Sequence, residues 1–299
     1  MESKYYSLQN NKPYISRIGD YVAGIGYGED RLAASQGEAL ERYSLMRGPS
    51  QNVLLYSSKE PAYEKFIDIK NKYNEIYDSG GSALYPNVEE SVKRALFEFF
   101  ERQSLVFSWQ YGYPGMKLVE GTLESGIGFE TYDISIFKNI TVCISFLVSK
   151  YRDVSYAVGA SAHEEYDKAL DKSLGELEQS VLLMQDNIQR RKFKFPLLDD
   201  IQENYYKYNF KDSVRLWGSG DNFFPEKFCC DLSKFDVEKY IEKCDLEKYL
   251  FVDKVFYLGD LFYHTRILSP EWFLGFRDMR VLERFSHLHR VNESPVPFG

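Results

Sequence analysis

The stretch GGSALYPNVEESVKRALFEFFERQSLVFSWQ (residues 80–110) predicts a turn followed by a long helix. Asn87 is a suitable N-cap for this helix, because a glutamate follows it three positions later, as in a capping box. Phe97 and Phe99 flank Glu98, and the helix is hydrophobic on nearly every side. A helix with that pattern is normally buried, so the sequence predicts that the rest of the protein packs around it.

One short frame of residues occurs twice in the chain, as EALERYSL (residues 38–45) and as EFFERQSL (residues 98–105). Each copy reads Glu, two spacers, Glu-Arg, one spacer and Ser-Leu. A weaker third copy, GELEQS (residues 175–180), keeps the spacing in Glu176 and Gln179 but replaces the second acid with an amide. Residues three and four apart share one face of a helix, so each copy places its acids side by side.

Two interpretations of the acids are open. Glu38–Arg42 and Glu98–Arg102 have the spacing of ordinary ion pairs on a solvated helix face. The apolar residues around these acids favour a second interpretation, because a buried carboxylate needs a cation or several hydrogen-bond donors. Two facing helices of this kind would offer four carboxylates to divalent cations, and Mg²⁺ in proteins is typically held by carboxylates together with phosphate and water.

The bulk composition is that of a globular protein, with 299 residues, of which 44% are hydrophobic and 27% charged. A net charge of −8 and no basic stripe argue against a nucleic-acid partner. No apolar run is long enough to span a membrane, and the N-terminus has no apolar signal core, so we expect a cytoplasmic protein. The cysteines form no C-x-x-C pair and are expected to be reduced, mostly buried thiols: Cys143, Cys229, Cys230 and Cys244.

The order of periodic segments predicts an α+β fold, in which an antiparallel sheet packs against long helices in one domain spanning residues 1–299. Helices are predicted in GIGYGEDRLAASQGEALERYSLM (24–46, helical from about Glu29), EPAYEKFIDIKNKYNEIY (60–77), residues 87–110, residues 164–189 and residues 237–249. Strands are predicted in GFETYDISI (128–136), ITVCISFLVS (140–149), VSYAVGAS (154–161) and LFVDKVFYL (250–258). Gly24-x-Gly26 alone is a weak phosphate-loop signal, because the full spacing of such loops is missing.

The acidic segments also carry a resemblance to a known family. In this order, AASQGEALERYS (33–44), EESVKRALFEFFERQSL (89–105) and KALDKSLGELEQS (168–180) resemble the three nucleotide-site segments of the YcaO superfamily. The closing PVPFG (295–299) resembles the proline-rich C-terminus of its azoline-forming members. FERQSLVFSW (100–109) and RILSPEWFL (266–274) are similar to the cyclodehydratase subunit of microcin B type thiazole/oxazole synthetases.

The resemblance implies a compact YcaO-like, ATP-dependent cyclodehydratase that forms thiazoline or oxazoline rings from Cys, Ser or Thr of a ribosomal precursor peptide. It implies ATP and Mg²⁺ as cofactors, with Mg²⁺ and phosphates held by Glu38, Glu41, Glu98 and Glu101. It implies contacts to the nucleotide from Glu90, Arg102, Glu176 and Gln179, and a tail that enters the active site through Pro295, Pro297 and Gly299.

The resemblance further implies a separate leader-binding (E1-like) partner subunit and a flavin-dependent azoline dehydrogenase, as expected in bacteriocin biosynthesis. Two alternatives remain open. The tail ends in Gly299 where a third proline is typical, which is compatible with a YcaO-type enzyme that forms a thioamide or an amidine instead. Glu41 and Glu90 stand 49 positions apart (90 − 41), about half the separation in many members, which is compatible with a non-catalytic scaffold subunit.

Overall fold

The computed structural model describes residues 5–6, 14–18, 22–26, 31–48, 53–55, 62–64, 79–113, 115–148, 151, 154, 157–190, 234–276, 278–291 and 296. The chain divides into two compact units, and each is assembled from separate stretches of sequence. The first unit comprises Met1–Asn11, Ser104–Phe228 and Arg290–Gly299; the second comprises Lys12–Gln103 and Cys229–His289. That these units form a single domain over residues 1–299 stays a prediction.

The helices and strands alternate along the chain. The helices are α1 Arg31–Arg47, α2 Val88–Gln110, α3 Tyr166–Arg190 and α4 Val237–Lys243, with one 3₁₀ turn at Glu283–Phe285. The strands are β1 Tyr5–Tyr6, β2 Tyr14–Ile18, β3 Val22–Gly26, β4 Val53–Leu55, β5 Ala62–Glu64, β6 Ser82–Tyr85, β7 Met116–Leu123, β8 Gly128–Asp133, β9 Thr141–Leu147, β10 Val158–His163, β11 Leu250–Tyr257 and β12 Asp260–Ile267.

The first unit is built on a five-stranded sheet of order β1-β7-β8-β9-β10. All of its neighbouring strands are antiparallel except β1 and β7, which are parallel. Helix α3 covers the sheet, and its apolar positions share a core with residues of β7, β8 and β9 such as Leu123, Phe129 and Cys143. The three antiparallel strands predicted between residues 128 and 161 are confirmed.

The second unit contains an antiparallel sheet of order β5-β4-β11-β12-β6 and the hairpin β2–β3. Helix α1 joins this sheet through a small cluster of Leu40, Leu84 and Val255. The helix predicted for residues 60–77 is wrong at Ala62–Glu64, because these residues pair with Val53–Leu55 as the edge strand of the sheet. Residues 65–77 lie outside the described residues.

Helix α2 begins where the sequence predicts, because the Asn87 side chain accepts a hydrogen bond from the Glu90 N–H at 3.0 Å. Its aromatic residues are buried as expected: Phe99 packs edge-on against Trp272, and Phe100 packs in the same way against Tyr240. The helix contributes to both units, which divide between Gln103 and Ser104. Helices with antiparallel sheets confirm the predicted α+β class.

The described cysteines, Cys143 and Cys244, are free and buried, as the sequence predicts, whereas Cys229 and Cys230 lie outside the described residues. Burial, and secondarily the charge of Asp133, raises the pKa of the Cys143 thiol far above its ordinary value. In the part of the chain that the structure describes, no helix is both long and apolar enough to cross a membrane.

Candidate active site

The second acidic frame forms a compact charged cluster on helix α2. Arg102 donates one hydrogen bond to Glu98 at 3.1 Å and another to Glu101 at 3.0 Å, so its guanidinium bridges both carboxylates. Glu101 is buried, whereas Glu98 and Arg102 are each 21% exposed in their side chains. A forked guanidinium matches two carboxylates better than the point charge of a lysine does.

Glu98 is also held from the neighbouring sheet. Its second carboxylate oxygen accepts a hydrogen bond from the backbone N–H of Ser82, at the start of β6, at 3.3 Å. The Ser82 hydroxyl in turn lies 2.7 Å from Nε2 of the fully buried His264 on β12. The acid therefore belongs to a polar network that extends into the interior of the second unit.

The network continues from His264 to helix α1. The Arg266 guanidinium lies 3.2 Å from His264 Nδ1 and donates to the backbone carbonyl of Ser44 in α1 at 3.0 Å. Arginine can only donate, so Nδ1 is the acceptor and Nε2 carries the proton that bonds Ser82. Burial, and secondarily the charge of Arg266, holds the pKa of His264 well below its usual value, and the imidazole is neutral.

The first acidic frame lies on helix α1, where Glu38 forms an i,i+4 ion pair with Arg42. Glu38 and Glu41 are both half-buried. Both predicted i,i+4 ion pairs, Glu38–Arg42 and Glu98–Arg102, are present. The second interpretation stays open, because Arg102 bridges a half-buried and a buried acid rather than one acid on a solvated face.

Gly24 sets the position of α1 on its hairpin. A Cβ atom at Gly24 would lie 2.0 Å from the Ser35 carbonyl oxygen and 2.3 Å from the Ala39 nitrogen, the two atoms of one helical hydrogen bond. The Ser35 hydroxyl donates to Leu32 O at 2.9 Å and lies 2.7 Å from the hydroxyl of Ser16, the residue paired with Gly24. Gly24 is thus a packing residue in β3, and its interpretation as part of a phosphate loop has no support here.

Helix α3 is seated on β10 by the same contacts. A Cβ at Gly159 would lie 2.2 Å from both the Ser173 carbonyl oxygen and the Leu177 nitrogen. The Ser173 hydroxyl donates to Leu170 O at 2.8 Å and lies 2.8 Å from the hydroxyl of Ser145, which pairs with Gly159. Two segments of the chain, β2–β3–α1 and β9–β10–α3, therefore share one construction.

The shared construction aligns the acidic positions residue by residue. S-Q-G-E-A-L-E at 35–41 corresponds to S-L-G-E-L-E-Q at 173–179. Glu38 thus corresponds to Glu176, and Glu41 corresponds to Gln179. Glu176 and Gln179 are half-buried, and Lys172 lies 3.7 Å from Glu176 one turn earlier.

The remaining predicted site residues lie on α2 and in the C-terminal tail. Glu90 forms a half-exposed ion pair with Arg94 at 2.6 Å. Pro295, Pro297 and Gly299 lie outside the described residues. The tail begins with an anchor on α2, because Val291 N–H donates to the Gln110 carbonyl at 2.8 Å and Arg290 donates to the Gln110 side chain at 2.9 Å.

The carboxylates of α2 are suitable ligands for Mg²⁺. Among the described residues, no group of three or more His, Cys, Asp or Glu side chains is arranged to hold a metal ion. Mg²⁺ does not require such a group, because it is commonly bound by one or two carboxylates with water and the phosphates of a nucleotide. Glu98, which is half-buried, and Glu101, which is buried, are hard oxygen donors one helical turn apart and fit that role.

Sequence reasoning missed the residues that support the cluster. His264 and Arg266 are far from the acids in sequence, and they come next to Ser82, which lies 16 positions before Glu98, only when β6 pairs with β12. One available signal was the run of three polar residues in LFYHTRI (261–267), His264 to Arg266, which is unusual for a central strand unless those residues are hydrogen-bonded.

Comparisons with known proteins give one family and one fold. The family model described as "YcaO cyclodehydratase, ATP- and Mg²⁺-binding" matches residues 66–244, more than half of the chain. That range includes Glu90, the α2 cluster, Glu176 and Gln179, while α1 precedes it. No curated protein sequence matches the chain.

Among solved structures, a chain of the E. coli microcin synthetase McbBCD complex is similar over its whole length. It shares 16% identity with a TM-score of 0.70, and each chain is covered completely. A chain of the same complex with pro-MccB17 bound has a TM-score of 0.68 at 16% identity, again with full coverage of both chains. At this identity the similarity establishes a common fold.

Proposed function

The chain belongs to the YcaO family, and from this premise we propose that it is an ATP-dependent cyclodehydratase acting on the backbone of a ribosomal precursor peptide. The product would be a thiazoline or oxazoline ring made from Cys, Ser or Thr. The observation that carries the proposal is the α2 cluster, in which Arg102 bridges Glu98 and Glu101 within the range matched by the family model.

The proposed reaction removes one water from the peptide at the expense of one ATP. The side-chain sulfur or oxygen attacks the preceding amide carbonyl carbon, and its proton is released. The resulting oxyanion attacks the γ-phosphorus of ATP, so that the phosphoryl group is transferred to it and ADP is released. Loss of phosphate and of the amide proton then gives the C=N bond of the ring. Phosphorylation is needed because the amide oxygen by itself is a poor leaving group.

One set of acidic residues would bind the metal ion, and a second set of residues would bind the nucleotide. We propose that Glu98 and Glu101, together with Glu38 and Glu41, hold Mg²⁺, which would supply positive charge to the transferred phosphoryl group. Glu90, Arg102, Glu176 and Gln179 would contact the nucleotide. Arg102 keeps the two α2 acids side by side, so that their geometry is fixed before any ligand arrives.

The tail would complete the site on the peptide side. Val296 is buried, and the anchor of Val291 on Gln110 fixes where the tail begins. We propose that Pro295, Pro297 and Gly299 position or deprotonate the substrate. Deleting residues 295–299 should then abolish ring formation while ATP binding persists, and full activity of a chain extended beyond Gly299 would contradict this role.

Partner proteins belong to the same proposal. A separate leader-binding subunit would deliver the precursor peptide, and a flavin-dependent dehydrogenase would oxidise azoline to azole. The similar fold occurs in a chain of a multi-subunit synthetase, which supports an assembly of this kind.

The test is reconstitution with a candidate peptide, the partner subunit, ATP and Mg²⁺. We expect phosphate release and a mass loss of one water per ring. Replacement of oxygen by sulfur in the product would instead indicate thioamide formation. If no partner combination gives phosphate release or a mass change, the scaffold role is the one that fits. Glu101→Gln should lower ATP turnover by about 100-fold or more, as loss of a preorganised charge does. Glu89→Gln, an exposed acid at the start of the same helix, is the matched control.

A further inference from the structure

Residues 269–276 and 278–280, here called the aromatic loop, form a closed structure after β12. Asp278 is fully buried. Its carboxylate accepts a hydrogen bond from Leu274 N–H at 2.9 Å and forms an ion pair with Arg280 at 2.6 Å. The Arg280 guanidinium also donates to the carbonyl of Trp272 at 3.0 Å. The two limbs of the loop are therefore tied together at its base.

The aromatic loop is fastened to helix α2 beside the charged cluster. The buried Gln103 side chain donates to the Phe273 carbonyl at 2.8 Å and accepts from the Phe273 N–H at 3.0 Å. The Trp272 indole N–H donates to the Cys244 carbonyl at the end of α4 at 2.9 Å. All three bonds are made where the loop is buried, and the two from Gln103 hold the loop against α2.

The loop places one aromatic ring on the guanidinium that bridges the acids. The ring centroid of Phe276 lies 4.3 Å from Cζ of Arg102. The same guanidinium donates to Glu98 and Glu101, so it is held by two carboxylates and one ring. This is cation–π geometry at close range, and a partly buried position strengthens such a contact.

We propose that Phe276 is a positioning residue for the catalytic acids, and that the aromatic loop exists to hold Arg102 between Glu98 and Glu101. This inference rests on the proposed function. Phe276 touches Arg102, and it acts on the acids through the guanidinium.

The physical need for such a residue follows from charge and flexibility. Two carboxylates one helical turn apart repel each other, and they stay parallel only while a cation sits between them. An arginine side chain has many rotamers, and the ion pairs of a partly exposed arginine restrict these rotamers only in part. A ring on the guanidinium removes that freedom, so Phe276 fixes the acids in place before Mg²⁺ and nucleotide bind.

The test compares three variants of the full-length chain by calorimetry with ATP and Mg²⁺. Phe276→Leu keeps an apolar residue but removes the ring, and it should weaken MgATP binding by about three- to tenfold, within the range that a cation–π contact supplies. Phe276→Trp keeps an aromatic face and should retain the wild-type affinity. Arg284→Met is the control, because it removes another cation–π contact of the same loop, that of Arg284 over the Trp272 ring at 4.8 Å, while leaving Phe276 and Arg102 unchanged.

A second measurement reports on the arginine without any ligand. In side-chain NMR spectra of the chain without nucleotide, Phe276→Leu should move and broaden the Nε–H resonance of Arg102, and Phe276→Trp should leave it sharp. Arg102→Lys assigns that resonance by deleting it.

The outcomes separate this inference from the proposed function. Weaker MgATP binding by Phe276→Leu with retention in Phe276→Trp supports the positioning role. Wild-type affinity in Phe276→Leu, or equal weakening by Leu and Trp, overturns it while the proposed function stands. Absence of MgATP binding by the wild-type chain overturns the proposed function and this inference with it.

Discussion

The segments β2–β3–α1 and β9–β10–α3 carry the same contacts in two different units of the molecule. In each, a serine on the first strand pairs with a glycine on the second, and the glycine lies under one hydrogen bond of the following helix. In each, a helical serine bonds the strand serine, and a Gly-Glu pair follows two positions later. The common contacts fix how far each helix is rotated over its strands, and therefore which way its acids face.

The two segments differ in what they place at the last acidic position and beside it. The α1 segment has Glu41 where the α3 segment has Gln179, and it has buried Leu40 where the other has buried Glu178. Only an amide can donate a hydrogen bond, whereas only a carboxylate gives a strong ligand to a divalent cation. Under the proposed function, the same packing of helix on strands would serve two kinds of ligand contact.

The largest expected effect on stability is at the two strand glycines, Gly24 and Gly159. Gly24→Ala and Gly159→Ala should each cost about 3 kcal/mol or more of stability, because the new methyl group would overlap helix backbone that has no room to move. The measurement is the free energy of unfolding in urea, or the soluble yield if folding fails. Gly37→Ala and Gly175→Ala are matched controls, since no atom lies within 4 Å of a Cβ there.

The controls at Gly37 and Gly175 should change stability in the opposite direction. A glycine-to-alanine change inside an open helical position should stabilise the protein by roughly 0.5–1 kcal/mol. A tolerated alanine at Gly24 with an intolerant Gly159 would show that the two segments are not seated in the same way.

The next test exchanges the differing ligands. Glu41→Gln gives α1 the amide of α3 and should lower ATP turnover by about 100-fold or more, since it removes a proposed metal ligand while keeping the shape of the side chain. Gln179→Glu makes the reciprocal change and should weaken ATP binding, because a second negative charge would face an anionic nucleotide. Equal and small effects of both variants would mean that these positions are interchangeable.

A pH experiment should distinguish the two segments, because only α1 is described as linked to the buried His264. His264 is linked through Arg266 to the α1 carbonyl at Ser44, and its pKa is lowered by burial and by the Arg266 charge. The unfolded chain binds a proton near the ordinary histidine pKa of about 6.5 while the folded chain does not, so stability is present above that pH and is lost as the pH falls below it.

The loss should approach about 1.4 kcal/mol per pH unit below that value. Hydrogen exchange at pH 5.5 and 7.5, corrected for the intrinsic rates, should therefore show α1 becoming less protected while α3 does not. His264→Gln keeps an acceptor for Arg266 and a donor for Ser82, and it should remove this part of the pH dependence. Equal loss of protection in α1 and α3 would contradict the prediction.

The smallest effect is expected at the helical serines. Ser35→Ala should cost about 1 kcal/mol, because its strand partner Ser16 is half-exposed and water can replace the lost bond. Ser173→Ala should cost more, about 2 kcal/mol, because the lost bond belongs to a buried chain of hydroxyls with Ser145 and Thr131 that water cannot reach. Urea unfolding of both variants checks the order, and a larger loss at Ser35 would reverse the argument.

The sequence predicts local features well in this protein. The N-cap at Asn87, the length of α2, the three strands between residues 128 and 161 and the spacing of the acids all follow from periodicity and residue type. These features depend on residues that are close together in the chain. The ion pairs Glu38–Arg42 and Glu98–Arg102 were predictable for the same reason.

Features that depend on strand pairing were missed. Ser16 and Ser145 look like ordinary strand residues until the pairing places each opposite a glycine. Strand β12 carries buried His264 and Arg266, and strand β7 is mostly half-exposed or exposed, so neither has the apolar alternation of a predictable strand. The sequence shows the aromatic loop only through the resemblance of RILSPEWFL (266–274) to a known family. The contacts of the loop with Gln103 and Arg102 join residues about 170 positions apart, and sequence patterns do not reveal such contacts.

The strand order of the second sheet has a consequence for how the protein is made. Strands β11 and β12 lie between β4 and β6 in space, although they are translated long after them. The strands β7 to β10 and helix α3 are contiguous in the chain, so we expect them to fold on the ribosome as soon as they emerge. Helix α1 and the acids of α2 must wait for the last quarter of the chain, and premature termination would release them without the strands that they pack against.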